Sequence, residues 1–171
     1  MTNPVLNAIL SRRSIRLYTA DPVPEELVHQ LLEAAMSAPS AGNQQPWQFV
    51  VITDQEILDR VPSCHPYAYM VPSAPLAIVV CGDLSLVTRK GYWVQDCSAA
   101  TENLLLAARG LGLGAVWLGV YPLHQRVAGL RRLLELPDHV VPLAIVPVGY
   151  LAEQKPPAVR FILGRVHQDG W

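Results

Sequence analysis

The chain has 171 residues and a formal net charge of −1, which suits one domain, residues 1–171, with a sizeable core, and leaves no broad basic face for nucleic acid. Apolar residues make up 51% and charged residues only 16%, so part of the apolar surface is expected in an interface between copies. Cys64, Cys81 and Cys97 lack paired or Cys-x-x-Cys spacing, and Met1-Thr2-Asn3-Pro4 lacks the basic start and apolar run of a secretory signal. Reduced thiols in a cytoplasmic protein without a zinc site are the expectation.

Asn3-Pro4 reads as N-cap and first helical position, and Val5, Leu6, Ile9 and Leu10 form an apolar set that ends at Ser11-Arg12. Where that helix runs out, Arg12-Arg13-Ser14-Ile15-Arg16 concentrates three guanidinium groups and a hydroxyl. Guanidinium presents paired donors that match phosphate oxygens, so the cluster is a candidate anion site; capping of helix carbonyls is the plainer alternative. A second helix opens at Pro24-Glu25-Glu26, buries Leu27, Leu31, Ala34 and Ala35 on one face, and stops before Pro39. Ala38 to Pro46 is a polar loop with two prolines, a glycine and adjacent amides. Trp47 to Thr53 reads as a strand, Gln55 to Val61 as a short helix, Pro62 to Pro75 as irregular and aromatic, and Leu76 to Asp83 as a central buried strand.

After a short connection from Leu84 to Gly91, Tyr92 to Arg109 reads as a helix apolar on nearly every side. Beyond its own sheet, a second copy of the chain is its expected cover. The glycines of Gly110 to Gly114 stop that helix and lead into a strand from Ala115 to Tyr121. They do not form a dinucleotide fingerprint, because a helix precedes them and a strand follows. The uncharged run from Gly110 to Leu123 is too short and too interrupted to cross a bilayer. Leu123, Val127, Leu130 and Leu134 mark a further helix, Val141 to Tyr150 a further strand, and a charged, proline-bearing tail begins at Ala152. There is no P-loop and no nucleophile elbow. The five histidines are scattered; only His65, between Cys64 and the tyrosines Tyr67 and Tyr69, is a candidate to line a pocket.

Four stretches in this order, Arg12 to Arg16, Ala38 to Trp47, Gly112 to Gly119, and Pro147 to Tyr150 with Lys155-Pro156-Pro157, resemble the ordered motifs of the nitroreductase family of flavin enzymes. The resemblance runs nearly end to end. It implies an α+β fold, a three-layer sandwich in which a mixed, mostly antiparallel sheet carries helices on both faces. It also implies a homodimer with FMN at the interface and a tail, about 152–171, packed on the partner.

The implied chemistry is two-electron, ping-pong transfer from NADH or NADPH to a nitroaromatic, quinone or related acceptor. By position, Arg12, Arg13 and Ser14 would hold the phosphate and ribityl end, with Lys155 and Arg160 completing the phosphate site. Arg16 would favour the reduced ring. Pro39, Ser40, Asn43 and Gln45 would come from the partner, and the backbone around Leu118 and Gly119 would meet the hydride-accepting nitrogen. The flavin carries the chemistry, so no catalytic acid or base is expected from the protein. Larger relatives have an acidic residue near the position of Gly119 that is missing here, and the connection from Leu84 to Gly91 is too short for a helical lid. Substrate choice would then be broad or set by Pro62 to Pro75. A non-catalytic FMN-binding protein, and the family's dehalogenating or flavin-degrading branches, are the alternatives.

Overall fold

The computed structural model describes residues 3–171; Met1 and Thr2, part of the N-terminal reading above, lie outside the described residues. Asn3 accepts on Oδ1 from the N–H groups of Val5 (2.9 Å) and Leu6 (3.3 Å). With Pro4 at the first helical position, where an N–H has no partner anyway, this starts α1, Pro4–Ser11. Helix α1 buries none of its residues; Val5 is 64% and Leu10 71% exposed. Its apolar stripe is thus uncovered within one chain.

The remaining elements are α2, Glu25–Met36; β1, Trp47–Ile52; α3, Gln55–Cys64; β2, Leu76–Asp83; α4, Trp93–Gly110; β3, Leu113–Ala115; β4, Leu118–Gly119; α5, His124–Leu133; and β5, Val140–Tyr150. The strands lie in the order β1-β2-β5-β3, with β4 also on β5, and every pairing of named strands is antiparallel. Side chains alternate across this sheet. Ile78, Val80, Ala144 and Val146 point into one core with α2 and α4, whereas Ala77, Val79, Cys81 and Ile145 point into the other with α3 and α5. The expected three-layer sandwich follows, with β5 buried at its centre. Among the described residues the only parallel contact is an isolated bridge between Ser14 and Ala115.

Two expectations change. Helix α3 runs through Pro62 to Cys64 instead of ending at Val61; the proline falls in the last turn, where a single ladder bond is lost, and buried Leu58 and Val61 hold the turn in the core. The single strand expected from Ala115 to Tyr121 is split into β3 and β4. The register is continuous, Ala115 opposite Val148 and Leu118 opposite Ile145, which sets Val116 opposite Pro147. Proline has no N–H for the ladder, so the pairing lapses there. Within one chain α4 is covered by the sheet, by α2 and in part by α1, more than its apolar pattern led us to expect.

Candidate cofactor site

The arginine stretch is a strap added to the free edge of β3. Val120 N donates to Leu143 O (2.9 Å), which fixes the phase of the β4–β5 ladder. Ala115 and Gly119 therefore stand at non-hydrogen-bonded positions and turn their N–H and C=O groups away from β5. At Ala115 the strap takes that edge, Ile15 N donating to Ala115 O (3.0 Å). Gly114 permits the approach: a Cβ there would lie 2.6 Å from Ile15 Cγ2. Tyr18, 9% exposed, pins the strap from beneath by donating to Ile15 O (2.6 Å) and Pro147 O (3.3 Å). Burial pushes its phenol far above the ordinary range, against a lowering by Arg16, so it stays a donor.

The tail closes the strap from the other side. Glu153 Oε1 accepts from the backbone N–H groups of Arg16 (2.5 Å) and Leu17 (3.3 Å) and lies 3.3 Å from Lys155 Nζ. Burial raises the Glu153 carboxyl, but these bonds and the lysine outweigh it and hold the group below the usual carboxylate value. Lys155 Nζ in turn donates to Ser14 O (2.5 Å). Between strap, tail and the end of α4 opens a cavity of about 600 Å³ that Ser11, Arg12, Arg13, Arg109, Glu153 and Lys155 line. Four cations face one carboxylate there, an environment suited to a phosphate.

The cations differ in what they have left to offer. Arg12 is steered by Glu102, 3.4 Å from its Nε, and its side chain is 19% exposed, which aims the rest of the fork into the cavity. Arg13 is largely committed: Nε donates to Pro156 O (2.8 Å), and Nη1 to Leu10 O (2.9 Å) and Arg12 O (2.6 Å). It caps α1 and clamps the tail, as the plainer reading of the cluster anticipated. Among the described residues the Arg16 guanidinium makes only a long contact, to Ser14 O (3.5 Å). Arg109, which the sequence reading passed over, enters from the last turn of α4 and donates to Ser11 Oγ (2.8 Å).

Farther along the same sheet edge stands Gly119. Four residues at roughly 3.3 Å each separate it from Ala115, about 13 Å. Among the described residues no heavy atom beyond its chain neighbours lies within 4 Å of where a Cβ would be, so a flat ring has room against the backbone. Its carbonyl is occupied, by His65 Nε2 (2.8 Å) and Arg126 Nη1 (2.8 Å), whereas its N–H points to the open edge. Leu118, beside it, is buried in the core. Tyr67, beside His65 and Arg126, is exposed, as is Tyr69, and His65 is only 1% exposed.

The amide loop lies elsewhere. It leads into β1, whose first residue Trp47 pairs with Gly82, and Gly82 pairs with Val141 near the start of β5. The strap instead meets the end of β5, through Ala115 opposite Val148. Seven residues at about 3.3 Å separate those levels, roughly 23 Å, and the loop leaves from the opposite edge of the sheet. Pro39, Ser40, Asn43 and Gln45 are therefore not brought to the arginines of their own chain.

The loop is nonetheless pre-shaped. Asp96, 4% exposed in the first turn of α4, accepts from Ala41 N (2.9 Å) and Gln44 Nε2 (2.6 Å), while Gln44 Oε1 accepts from Thr88 N (3.0 Å) and Arg89 N (2.9 Å). Ser40 Oγ accepts from Gln45 N (3.0 Å). These bonds sustain three left-handed residues in a short span, Gly42 (φ 60°), Asn43 (φ 54°) and Gln45 (φ 46°), a conformation that costs L-residues free energy and persists only when surrounded by such constraints. Gln44 and Asp96 are thus the supports that sequence reasoning missed; the adjacent amides were the signal, and they do not reveal which of the two turns inward. Arg160, expected at the phosphate, lies in the exposed tail away from the cavity. Within one chain the last hydrogen bond from the tail to the strap among the described residues is at Pro156, and Val159 beyond it is 96% exposed.

The family model described as nitroreductase family matches residues 9–64 and 62–150. A protein of Methanothermobacter thermautotrophicus, described provisionally as an NADH dehydrogenase/NAD(P)H nitroreductase, is 52% identical over 167 residues, spanning 98% of this chain and 87% of that protein. The crystal structure of a similarly described protein from Parabacteroides distasonis superposes with a TM-score of 0.95 at 42% identity, over 99% of this chain and 100% of that one. A provisional nitroreductase of Desulfovibrio desulfuricans, solved in complex with FMN, gives a TM-score of 0.87 at 34% identity over 100% and 99%. With the motifs, the three-layer fold and the relatives in agreement, this chain belongs to the nitroreductase family.

Proposed function

We propose that the chain is an FMN-dependent oxidoreductase that takes hydride from NADH or NADPH and delivers it to a nitroaromatic, quinone or related small acceptor in a ping-pong cycle. The observation that carries this reading is the layout of one sheet edge: a cavity with Arg12, Arg109 and Lys155 at one end, and an open, side-chain-free backbone N–H at Gly119 about 13 Å along. A phosphate suits the first and a planar ring the second. FMN supplies the hydride-accepting ring when bound. Arg12 and Lys155, with Ser14 beside them, bind its phosphate and ribityl end; Arg13 holds the strap to the tail; Arg16 offsets negative charge on the reduced ring.

The enzyme works as a homodimer. Pro39, Ser40, Asn43 and Gln45 stand on the far side of their own sheet, so they serve the site of the partner. The uncovered stripe of α1 and the apolar tail residues Phe161 (76% exposed) and Leu163 (73%) fit burial against that partner, residues 152–171 included. Among the described residues no helix is long and apolar enough to cross a membrane, and the free thiols of Cys64, Cys81 and Cys97 suit a cytoplasmic setting. Burial pushes both Cys81 and Cys97 up to about 12, so these two act as core side chains, not redox groups.

The test is spectroscopic. Purified protein should carry a flavin absorption band that NADH or NADPH bleaches without oxygen and that a nitroaromatic or quinone restores. Protein that takes up no added FMN refutes the reading, and bound flavin that neither nicotinamide bleaches reduces it to a flavin-binding protein.

A further inference from the structure

His65 is 1% exposed, although it caps the end of α3 in a segment whose neighbours Pro66 and Tyr67 are exposed. Its two ring nitrogens have different partners. Nδ1 lies 3.2 Å from Tyr67 N, a donor, and so must accept. The proton of the neutral ring is then on Nε2, which donates to Gly119 O at 2.8 Å. Arg126 from α5 donates to the same oxygen from Nη1 at 2.8 Å. The 3.1 Å approach of Arg126 Nη1 to His65 Nε2 is therefore the meeting of two donors at one carbonyl, whose two lone pairs accept both. The guanidinium is held from below by the Tyr67 ring, 5.5 Å from its centroid.

Gly119 needs such a hold. It has no side chain, no heavy atom of the described residues beyond its chain neighbours lies within 4 Å of its Cβ position, and its own polar groups face away from β5. A glycine so placed is the backbone unit freest to rotate. In an extended residue the C=O and N–H project to the same side, so fixing the carbonyl also fixes the direction of the N–H.

We propose that His65 and Arg126 are positioning residues: they grip the Gly119 carbonyl and thereby aim the Gly119 N–H at the ring nitrogen that receives hydride. The proposal rests on the flavin reading above. Neither side chain lines the phosphate cavity, so loss of the grip slows hydride arrival and leaves flavin affinity nearly unchanged.

Three variants test it: Arg126→Met, which removes the donor at similar length, Arg126→Lys, which restores one, and His65→Gln, which keeps a side-chain N–H. The readouts are the stopped-flow rate of FMN reduction at saturating NADH or NADPH and the dissociation constant of FMN. Arg126→Met should slow reduction by about tenfold or more, the effect expected when reacting groups are misaligned, with FMN affinity within roughly threefold, whereas Arg126→Lys and His65→Gln recover most of the rate. An unchanged rate in Arg126→Met, or Lys as slow as Met, overturns the proposal. If the wild-type protein binds FMN yet is not reduced, the functional reading fails instead. The grip is then read in the flavin-free protein from the ¹⁵N resonances of His65: a neutral ring protonated on Nε2 supports it, and one protonated on Nδ1 overturns it, whether or not any variant folds.

Discussion

Gly114→Ala perturbs the junction between sheet and arginine strap by a single carbon. The new Cβ would stand 2.6 Å from Ile15 Cγ2 and 2.9 Å from Ile15 Cβ. Reaching an ordinary contact of 3.4 Å requires the strap to withdraw by about 0.8 Å, because the obstructing atoms sit at the stiff, β-branched base of the side chain. The bond from Ile15 N to Ala115 O, now 3.0 Å, cannot survive that shift unaltered. Overpacking of this kind costs about 1–3 kcal/mol, and at about 2–4 °C per kcal/mol for a chain of this size the melting temperature falls by roughly 2–12 °C. Arg12 and Ser14 move with the strap, so FMN affinity should fall about tenfold, as for one charge-assisted bond lost. Thermal unfolding followed by circular dichroism and a flavin fluorescence titration measure the two effects. Gly110→Ala is the control: it has open space around it and should be neutral or stabilising by up to ~1 kcal/mol. A Gly114→Ala protein that melts and binds FMN like the parent refutes the close approach as the device that seats the strap.

Arg12→Ala should weaken FMN by ~1.5–3 kcal/mol through lost phosphate contacts, read by equilibrium titration; unchanged affinity removes Arg12 from the site. Asp96→Ala withdraws the acceptor of Ala41 N and Gln44 Nε2 and should destabilise the amide loop by about 1–3 kcal/mol. Faster amide exchange at residues 41–45 would show it, and unaltered exchange would refute the support role. The pH dependence of stability should carry the signature of His65. Burial foremost, then the Arg126 charge, lower its pKa from 6.5, against a raising by the Gly119 carbonyl; Arg126 from α5 is the charged group that faces it, with the Tyr67 ring beside it. Below pH 6.5 the unfolded chain takes up a proton that the folded ring still refuses, so stability declines as pH falls from 6.5 toward the folded value and is flat in this group above. Urea titrations across that window should show the decline in the parent and its loss in His65→Gln; an equal decline in both would contradict the assignment.

The elements that carried strong local signals were legible in the sequence. Asn3-Pro4 announced α1, the apolar run from Leu76 to Asp83 announced β2, and the arginine stretch, lying where α1 ends, supplied one wall of the cavity. What escaped was set by long-range geometry. Nothing local places Pro147 opposite Val116, the pairing that splits β3 from β4, and nothing in the spacing of Arg12 and Arg13 says that one faces the cavity while the other turns back to carbonyls of Leu10 and Pro156. Gln44, Asp96 and Arg109 enter through contacts to residues 44, 55 and 98 positions away, beyond the reach of any motif. His65 looked like a scattered histidine because its acceptor, Gly119, lies 54 positions along the chain.

In the proposed homodimer one chain holds only half of each site. Size-exclusion chromatography with in-line light scattering and visible absorbance tests it on the wild-type protein loaded with FMN. Flavin absorbance should co-elute with a particle of twice the chain mass and be absent from any single-chain species. A single chain that retains FMN as tightly as the larger particle would contradict it and would show that Pro39, Ser40, Asn43 and Gln45 have no part in holding the cofactor.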